Sequence, residues 1–494
     1  MADLQVWLQP SQSHIFLVPL LYMFLAAYNC RRYLLAEKLF DRIDIFEQRS
    51  SVSGIWNYSP SADKANTRTA VPQLNPSEPP EKPTWHHGAA SFISPLYSRL
   101  ETNTPKEMMT FSDKPFPPDE PLFPPHPDVK KYVEEYAEEI KNLIQFETQV
   151  LDLKSIGPDA GNWSLTTSNV RTGIKKTDSY DAVVVSNGNY SVPYVPNIPG
   201  IDAWNRAYAD VISHSKFYDS PESFKDKKVV VVGNSASGID IATQINEFCR
   251  GKLLLSSRAN ETPFSGSATT DKMDCPEIVQ FLSPKTNNRG IKFANGRVEE
   301  DIDAIVFSTG YLYSYPFLDS LNPPVVTDGG RTMNIYQQLF YIHDPTLVFT
   351  VLPQRIVPFP LAENQAAVFA RVWSGRLACP SLAEMRSWED STIAEKGNGK
   401  SFHILTSPQD VDYLNLLYDW AAKAEKRPGL ANEGSGKQCN LWGDEQRWLR
   451  LHFQDIKRAF MQKGKQRQKV KSIKELGFNY DEWKRRHARG DSRL

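Results

Sequence analysis

Four consecutive valines that run into a glycine-containing turn and then a helical pattern limit the fold more than any other feature. The stretch reads "KKVVVVGNSASGIDIATQI" (residues 227–245). In a strand–turn–helix unit of this kind, the helix N-terminus binds a pyrophosphate. Gly233 permits the tight turn, Gly238 lets the helix pack closely on the strand, and small Ser235 lets the backbone approach the phosphates. We therefore expect a cofactor site at Gly233, Ser235, Ser237 and Gly238, with a nucleotide-free α/β turn as the alternative.

The strand that follows this turn indicates which dinucleotide is bound. It reads "KLLLSSR" and ends in Ser256, Ser257 and Arg258, where an NAD site would place an acid. A cationic donor at this position suits a 2′-phosphate. The sequence therefore favours NADPH over NADH, with Ser257 and Arg258 as contacts.

A second unit of this type precedes the first in the chain but lacks its glycines. In "LAEKLFDRIDIFEQRSSVSGIW" (residues 35–56), the apolar residues Ile43, Ile45 and Phe46 predict a strand that stops at Glu47. An acid in that position binds the ribose hydroxyls of a dinucleotide, and a glycine-rich turn is expected about 20 residues upstream. The upstream stretch "VPLLYMFLAAYNC" (residues 18–30) contains no glycine. The residues before it also lack the valine-rich pattern of the strand that normally leads into such a turn.

Length, charge and cysteine usage narrow the class of protein. A chain of 494 residues predicts two to three domains. A net charge of −1 gives no electrostatic reason to expect nucleic-acid binding. The five cysteines are odd in number and form no C-x-x-C pair. This pattern indicates a reducing, cytoplasmic compartment and argues against a metal site.

The apolar run over residues 15–30 has two interpretations. It is shorter than the roughly 20 residues that a membrane-spanning helix needs, and it contains Pro19. A strand and helix of the core are therefore favoured. A short membrane anchor, followed by the basic pair Arg31 and Arg32 and directed to the endoplasmic reticulum, is the alternative.

Several further motifs resemble those of the class B flavin-containing monooxygenases, in the form found in fungi. They occur in the family's order: "SGIW" (53–56), "LETNTPKEMMTFSDKPFP" (100–117), "SNGNYSVPYVPNIPG" (186–200), "VVGNSASGID" (231–240), "VFSTGY" (306–311) and "VPFPLAENQA" (357–366). Each motif alone is weak, but their number and order identify the chain as a member of this family.

The resemblance implies an α/β fold with two dinucleotide-binding, Rossmann-like domains. An NADPH-binding domain (206–304) would be inserted into an FAD-binding domain made of residues 1–205 and 305–494, with an atypical segment over 1–30 and a helical tail at the C-terminus. The expected reaction is NADPH-dependent oxygenation of a soft nitrogen or sulfur centre by a C4a-hydroperoxyflavin, as in N,N-dimethylaniline monooxygenases. The partners would be FAD, NADPH, dioxygen and a small-molecule substrate.

The same resemblance implies the remaining site residues. An amide donor that stabilises the hydroperoxide without offering an acidic proton would be Asn103, unless Asn103 only shapes the turn before Pro105. Glu363 would lie near the flavin. The other expected cofactor contacts are Glu47, Gln48, Gly54, Trp56, Thr102, Asn103, Thr309, Gly310 and Gln365.

The family's F-x-G-x-x-x-H-x-x-x-[W/Y/F] fingerprint is present in altered form as Tyr208, Asp210, His214 and Tyr218. Asp210 puts a Cβ and a charge where the family has glycine, so we expect a perturbed hinge between the domains. His214 is expected to be a packed hinge residue. Tyr218 is closer to the flavin-containing monooxygenases than to the Baeyer–Villiger enzymes, which usually have tryptophan there.

The three missing glycines would fall at Tyr22, Phe24 and Ala27, and bulky side chains at the first two would block the turn. The sequence alone therefore predicts weak FAD binding. An error in the predicted start of the gene and a genuine loss of the turn are both compatible with this pattern. The first alternative to an N- or S-oxygenating enzyme is a catalytically impaired or non-catalytic relative, or the product of a wrongly predicted gene, that binds NADP(H) but little FAD. The second alternative is a Baeyer–Villiger-type monooxygenase.

Overall fold

A computed structural model describes residues 14–18, 24–65, 67–157, 161–258 and 272–488. Of the three positions that lack the expected glycine, Tyr22 lies outside these ranges. Phe24 and Ala27 lie in the first turn of a helix.

The described strands are, in chain order, β1 (His14–Val18), β2 (Arg42–Phe46), β3 (Thr84–His86), β4 (Ala89–Ser91), β5 (Ile144–Gln145), β6 (Thr148–Ser155), β7 (Trp163–Asn169), β8 (Lys175–Tyr180), β9 (Ala182–Val185), β10 (Val192–Pro193), β11 (Ile212–His214), β12 (Val229–Val232), β13 (Leu254–Ser256), β14 (Met273–Cys275), β15 (Ile278–Phe281), β16 (Ile291–Phe293), β17 (Val298–Glu299), β18 (Ala304–Phe307), β19 (Tyr311–Leu312), β20 (Ile335–Tyr336), β21 (Phe340–Tyr341) and β22 (Leu347–Phe349).

The described α-helices are α1 (Phe24–Ala36), α2 (Ser61–Ala65), α3 (His126–Ala137), α4 (Ile201–Ala207), α5 (Ala236–Asn246), α6 (Pro358–Trp373), α7 (Leu382–Lys396), α8 (Gln409–Ala422), α9 (Asp444–Gln462) and α10 (Tyr480–Ala488).

A seven-stranded sheet in the order β20-β21-β22-β9-β1-β2-β5 forms the larger half of the molecule. Its five strands from β22 to β5 run parallel. The side chains of β9 are buried on both faces, as expected for a strand in the middle of a covered parallel sheet. Helices α1 and α6 pack on each other beside this sheet and contribute to one apolar core.

Strand β1 agrees with the favoured interpretation of the apolar run over residues 15–30 as a strand and a helix. The residues before the missing turn have no valine-rich pattern, yet His14–Val18 lies between β9 and β2 at the centre of the sheet. Ile15 pairs with Ile43 and with Ala182 and is fully buried. Residues from 15 to 30 therefore contribute a strand and a helix to the core, and the strand–helix unit is present although its glycines are not.

The second sheet is five-stranded and parallel, in the order β11-β18-β12-β13-β14. The valine run forms β12, whose first three residues are buried. The fold is therefore α/β with two Rossmann-like units, the second inserted between parts of the first. Strand β18 crosses the boundary predicted at residue 304, so we place the return to the first unit after Phe307 and retain the other boundaries as predictions.

After the proline-rich loop, the spacing of Val133, Tyr136, Ile140 and Ile144 predicts one amphipathic helix, but the segment is only partly α-helical. Val133 and Tyr136 lie on α3, but α3 ends at Ala137 and a 3-10 helix (Glu138–Leu143) follows it. Ile144 begins β5 and pairs with Ile45 of β2. Pairing with the sheet thus replaces the last helical turn that the spacing predicts.

Among the ranges described above, no helix is both long and apolar enough to cross a membrane.

Candidate active site

The parallel strands of the first sheet end along a single edge, and the predicted flavin-site residues gather there. Glu47 directly follows β2, and Ser186 directly follows β9. Helix α6 begins at Pro358, after the loop that leaves β22. Ligands of open α/β sheets bind at the carboxyl ends of the strands, so this edge is the candidate cofactor site.

One carboxylate oxygen of Glu47 has no hydrogen-bond partner in the part of the chain that the structure describes. Its side chain is fully buried, and Oε1 accepts a hydrogen bond of 2.8 Å from the backbone N–H of Arg49. Oε2 is buried and has no partner. Burial raises the pKa of Glu47 to about 7, while Arg49 opposes this shift. A buried acceptor without a donor is costly, and ribose hydroxyls would supply the donor.

The residues after Glu47 carry further buried polar atoms without partners. These atoms are Nε2 of Gln48, Nε and Nη1 of Arg49, and Oγ of Ser53. Native proteins rarely leave such groups unsatisfied without a functional reason. The unsatisfied donors and acceptor of residues 47–53 therefore fit a polar ligand that carries hydroxyl groups and phosphate oxygens. The AMP half of FAD is a ligand of this kind.

A cavity of about 220 Å³ opens beside Gln48. Its walls come from the loop around residues 67–81, from Gln149 and Val150 of β6, from Asn187 and from Lys216. The Nε2 of Gln149 donates to Oε1 of Gln48 at 3.0 Å. The cavity therefore adjoins the unsatisfied groups that follow Glu47, because Gln48 is one of those groups and also lines the cavity.

The turn that carries Gly54 and Trp56 is strained. Ser53 has φ +92° and Gly54 has φ +52°. The first value lies in the left-handed region that glycine adopts readily and other residues adopt at a cost. The family has glycine where this chain has Ser53. Trp56 ends the 3-10 helix Gly54–Trp56 and packs, half-buried, against the main core.

Asn103 lies in a bend beside the start of α3. The preceding residue, Thr102, donates its backbone N–H to the carbonyl oxygen of Pro124 at 3.0 Å, and α3 itself packs on Gly54–Trp56. The segment of Thr102 and Asn103 therefore adjoins the start of α3, and the turn that ends at Trp56 contacts the same helix. The half-buried side chain of Asn103 has no hydrogen-bond partner within the described ranges, and it is free to donate to a ligand.

Helix α9 contributes a residue to this region that the sequence did not suggest. Lys457 is buried, and its Nζ donates to the carbonyl oxygen of Thr102 at 2.7 Å. Its position offers a signal in retrospect, because Phe453 and Phe460 flank it on the buried face of the helix. A lysine within such an apolar stripe needs a partner in the interior.

The turn of the second unit requires its two glycines. Gly233 has φ +108°, and a Cβ there would lie 2.6 Å from the carbonyl oxygen of Ser308. A Cβ on Gly238 would lie 1.9 Å from the carbonyl oxygen of Gly233. The helix N-terminus behind this turn is open, since Ser235 and Ser237 are exposed. The arrangement leaves backbone N–H groups of α5 available to an anion.

Ser257 and Arg258 follow β13 at the carboxyl edge of the second sheet. The side chain of Arg258 is 66% exposed, and its Nε lies 3.7 Å from Oε2 of Glu277. Ser257 is half-buried and donates its backbone N–H to Cys275. Both side chains lie one strand away from the turn at Gly233, which is the distance that separates the pyrophosphate and ribose contacts of a dinucleotide.

His214 connects the end of β11 to the chain that leaves β18. Its Nδ1 accepts from the backbone N–H of Lys216 at 3.1 Å, so Nε2 carries the proton and donates to the carbonyl oxygen of Gly310 at 3.0 Å. Burial lowers the pKa of His214 to about 3, which keeps the ring neutral. Thr309 beside it donates to the carbonyl oxygen of Tyr194. His214 is therefore a packed residue of the hinge.

Asp210 adopts the conformation that the family's glycine would have. Its φ is +67°, and its carboxylate pairs with Arg68 at 2.8 Å on the surface. Aspartate is among the residues that enter the left-handed region most readily. The backbone therefore keeps a left-handed turn at this position despite the substitution, and a perturbed hinge stays a prediction.

Tyr218 is buried against the helix of the second unit. Its hydroxyl donates to Oε1 of Gln244 on α5 at 3.1 Å, and its ring meets that of Tyr97 edge to face at 5.3 Å. Tyr97 in turn donates to Asp240 on the same helix. These contacts tie α5 to the segment that leads to Asn103.

Gln365 and Glu363 lie on α6, and protein groups occupy their polar atoms. The Oε1 of Gln365 accepts from the backbone N–H of Val351 at 2.8 Å, and its Nε2 donates to Gln338 and Tyr413. Glu363 accepts hydrogen bonds from Ser112 and Asn440. Val351 has φ +54°, which is unfavourable for a β-branched residue. Gln365 thus holds the strained end of β22 in place.

A comparison with protein families finds the model described as flavin-binding monooxygenase-like. It matches residues 85–267 and 279–432, which is more than half of the chain.

Curated relatives are monooxygenases. The chain is 33% identical over 353 residues to the thiol-specific monooxygenase of Saccharomyces cerevisiae, covering 68% of this chain and 75% of that protein. It is 32% identical over 397 residues to the flavin-containing monooxygenase FMO GS-OX3 of Arabidopsis thaliana, covering 77% and 78%. The flavin-containing monooxygenase ustF2 of Aspergillus flavus is 28% identical over 431 residues, covering 76% and 86%.

Solved structures share the fold. S-allyl-L-cysteine S-oxygenase from Allium sativum superimposes with a TM-score of 0.72 at 24% identity, covering 97% of this chain and 99% of that one.

These relatives favour a monooxygenase over the non-catalytic and Baeyer–Villiger alternatives. The chain belongs to the flavin-binding monooxygenase-like family and is an oxidoreductase that depends on FAD and NADPH.

Proposed function

We propose that the chain oxygenates a soft nucleophilic sulfur or nitrogen centre of a small molecule, with a thiol or thioether as the preferred class. The observation that carries this proposal is the half-buried amide of Asn103, which has no hydrogen-bond partner among the described residues and lies in a segment next to α3, the helix that also contacts Gly54–Trp56. The relatives named for thiols and S-oxygenation support sulfur. Such a substrate needs no protein nucleophile, because its own lone pair attacks the activated oxygen.

The residues that would hold FAD are those with unsatisfied polar atoms. Oε2 of Glu47 would accept from the ribose, and the cavity beside Gln48 would take the adenine. Gly54, with Ser53 beside it, would approach the dinucleotide closely through its backbone. When bound, FAD supplies hydride acceptance from NADPH and transfer of one oxygen atom from dioxygen. The protein contributes orientation and the exclusion of water.

NADPH would bind the second unit. The N-terminus of α5 behind Gly233 and Gly238 would hold its pyrophosphate, with Ser235 and Ser237 beside it. Arg258 and Ser257 would contact the 2′-phosphate, for which an exposed guanidinium has suitable charge and geometry. Arg258 would exchange its long contact with Glu277 for this phosphate.

Asn103 would donate its amide N–H to the oxygens of the reacting centre, and Thr102 would fix its backbone. Gln365 would act as a positioning residue, because it holds Val351 at the end of β22. His214 would couple the two units through Gly310. Thr309 and Gly310 would contact the cofactor only through their backbone atoms.

We also propose that residues 1–205 together with those after 307 form the FAD-binding domain, and that residues 206–307 form the NADPH-binding domain. The odd number of scattered cysteines favours a reducing, cytoplasmic location. The chain would act on its small-molecule substrate and dioxygen without nucleic acid.

The substrate class can be tested with a matched panel of a small thiol, a thioether, a tertiary amine and a cyclic ketone. We expect NADPH oxidation coupled to oxygenation of the thiol and thioether and little turnover of the ketone. Asn103→Ala should oxidise NADPH but release hydrogen peroxide instead of product, whereas Asn197→Ala, at an exposed asparagine of the connector, should behave as the parent. Ester formation from the ketone, or full coupling in Asn103→Ala, would contradict the proposal.

A further inference from the structure

Arg31 is a buried cation that makes no ion pair with the residues that the structure describes. Its side chain is only 7% exposed, and its Nε and Nη1 have no hydrogen-bond partner. Asp44 on β2 is the acid that acts on it, but Asp44 already accepts from Tyr180 and pairs with Arg42. An unpaired buried charge is among the most costly features of a folded protein, so this one needs an explanation.

The neighbouring arginine on the same helix, Arg32, has protein partners for the charge and the N–H groups of its guanidinium. Arg32 pairs with Asp113 at 2.8 Å and donates to the hydroxyl of Tyr136 at 3.0 Å. Its guanidinium also lies over the rings of Tyr28 and Tyr136. The protein itself therefore accounts for Arg32, but not for Arg31.

Comparison of equivalent positions in the two strand–helix units indicates which face of helix α1 carries Arg31. Aligning Ala27 with Gly238 places Arg31 at the position of Ala242, one helical turn further on the same face. Gly238 meets the turn at Gly233, and Ala242 is fully buried against the sheet. Helix α1 thus has a long cationic side chain on the face where α5 has a methyl group.

Two further observations direct this side chain towards the carboxyl edge. Side chains on a helix lean towards its N-terminus, and α1 begins at Phe24, about two turns before Arg31. The buried thiol of the preceding residue, Cys30, lies close enough to Ser186, the first residue beyond β9, for Ser186 to lower its pKa, although burial raises that pKa overall. Residues 30 and 31 therefore lie at the level where the strands end.

We propose that the guanidinium of Arg31 binds the pyrophosphate of FAD and replaces part of the anchoring that a glycine-rich turn gives in the family. The assignment rests on the use of FAD stated above. The pyrophosphate would join an AMP half held by Glu47 to a flavin half near Trp56, and it would then cross the edge of the sheet next to α1, the helix that follows β1. A doubly anionic group there would satisfy the two orphan N–H donors and neutralise the buried charge. Arginine suits this role because its fork matches two phosphate oxygens.

The test compares Arg31→Met with Arg32→Met in protein stripped of flavin, because the two substitutions are chemically identical and adjacent. Arg31→Met should raise the melting temperature of the apo-protein, since it removes an unpaired buried charge, and should lower FAD affinity at least tenfold. Arg32→Met should lower the melting temperature, since it breaks an ion pair, and should change FAD affinity less. Arg31→Lys should recover part of the affinity.

Riboflavin, which has no phosphate, separates this role from a general effect on the site. Measured by flavin fluorescence, its affinity should be the same for the parent and Arg31→Met, as should the affinity for NADPH. Equal FAD affinity in the parent and Arg31→Met, an unstable apo Arg31→Met protein, or a parallel loss of riboflavin binding would overturn the assignment. Failure of the parent to bind FAD at all would instead contradict the use of FAD itself.

Discussion

The ammonium group of Lys457 donates a hydrogen bond of 2.7 Å to the carbonyl oxygen of Thr102, the residue before Asn103. Residues in the C-terminal helix α9 and in the candidate active site are thereby joined across 355 positions of the chain. Lys457 also lies over the rings of Phe123 and Phe460. The tail of the protein, beyond the residues that match the family model, therefore fixes the backbone that presents Asn103.

Lys457 should make stability depend on pH in the alkaline range. Burial lowers its pKa to about 8, with Glu101 and Asp240 opposing the shift and Arg467 adding to it. Between pH 8 and about 10.5 the unfolded chain binds more protons at this residue than the folded one, so its contribution to stability rises with pH. We expect the free energy of unfolding of the parent to gain roughly 3 kcal/mol relative to Lys457→Met across this window.

Chemical denaturation at several pH values measures this difference. Lys463→Met, at an exposed lysine at the end of the same helix, should parallel the parent. A Lys457→Met protein whose stability follows the parent at every pH would show that the lysine does not titrate in this environment.

Glu47 should make FAD binding weaken in acid. Burial raises its pKa to about 7, so the folded apo-protein binds more protons than the unfolded chain between about pH 4.5 and 7. Its contribution to the stability of the apo-protein is therefore full below this range and falls by roughly 3 kcal/mol as the pH rises through it. Ribose hydroxyls favour the ionised carboxylate, so FAD affinity should rise over the same interval.

Flavin titrations between pH 6 and 8 examine this prediction. Glu47→Gln should bind FAD more weakly than the parent at pH 8 and should lose the pH dependence. Identical pH profiles for the two proteins would mean that the carboxylate does not contact the cofactor.

Replacing Ser53 with glycine should stabilise the protein. Ser53 has φ +92° and a buried hydroxyl without a partner, and relief of this backbone strain is expected to add about 1 kcal/mol to the free energy of unfolding. Ser50→Gly is the matched control, since Ser50 does not have a positive φ, and it should be neutral or destabilising. Thermal unfolding of both variants measures the change in stability. A Ser53→Gly protein less stable than the parent would show that the backbone at Ser53 is not strained.

Arg258 should discriminate NADPH from NADH. Loss of a charge-assisted contact to the 2′-phosphate should weaken NADPH binding by roughly 1.5–3 kcal/mol, or about tenfold or more, in Arg258→Ala. The affinity for NADH should not change. Arg250→Ala removes an arginine of similar exposure that pairs with Asp303, and it should bind both dinucleotides normally. A loss of equal size for NADPH and NADH in Arg258→Ala would contradict this assignment.

The sequence predicts the elements whose pattern is local. The alternation of Ile43 and Ile45 up to Glu47 corresponds to β2, and the valine run with Gly233 and Gly238 corresponds to β12 and α5. The apolar run over residues 15–30 favours a core strand and helix, but its pattern does not give the position of the strand, which is set by the pairing of His14–Val18 with two neighbours. Ile144 follows the same principle, since pairing with Ile45 overrides its helical spacing.

The parts of the site that sequence reasoning missed depend on distant partners. Lys457 and Thr102 are far apart in the chain, and nothing near Lys457 indicates which carbonyl it meets. Gln365 was expected to contact the cofactor, but the fold places Val351, Gln338 and Tyr413 around its amide. The missing glycines were visible in the sequence, whereas the unpaired guanidinium of Arg31 emerged only from the packing of α1.

The central claim, that this chain is an FAD- and NADPH-dependent monooxygenase, is tested most directly by following the oxygen atoms. The purified protein, reconstituted with FAD, is given NADPH, a thioether and isotopically labelled dioxygen, and the product is analysed by mass spectrometry. We expect one labelled oxygen atom in the sulfoxide for each NADPH consumed. NADPH consumption that yields only hydrogen peroxide, or protein that holds no flavin at saturating FAD, would contradict the claim.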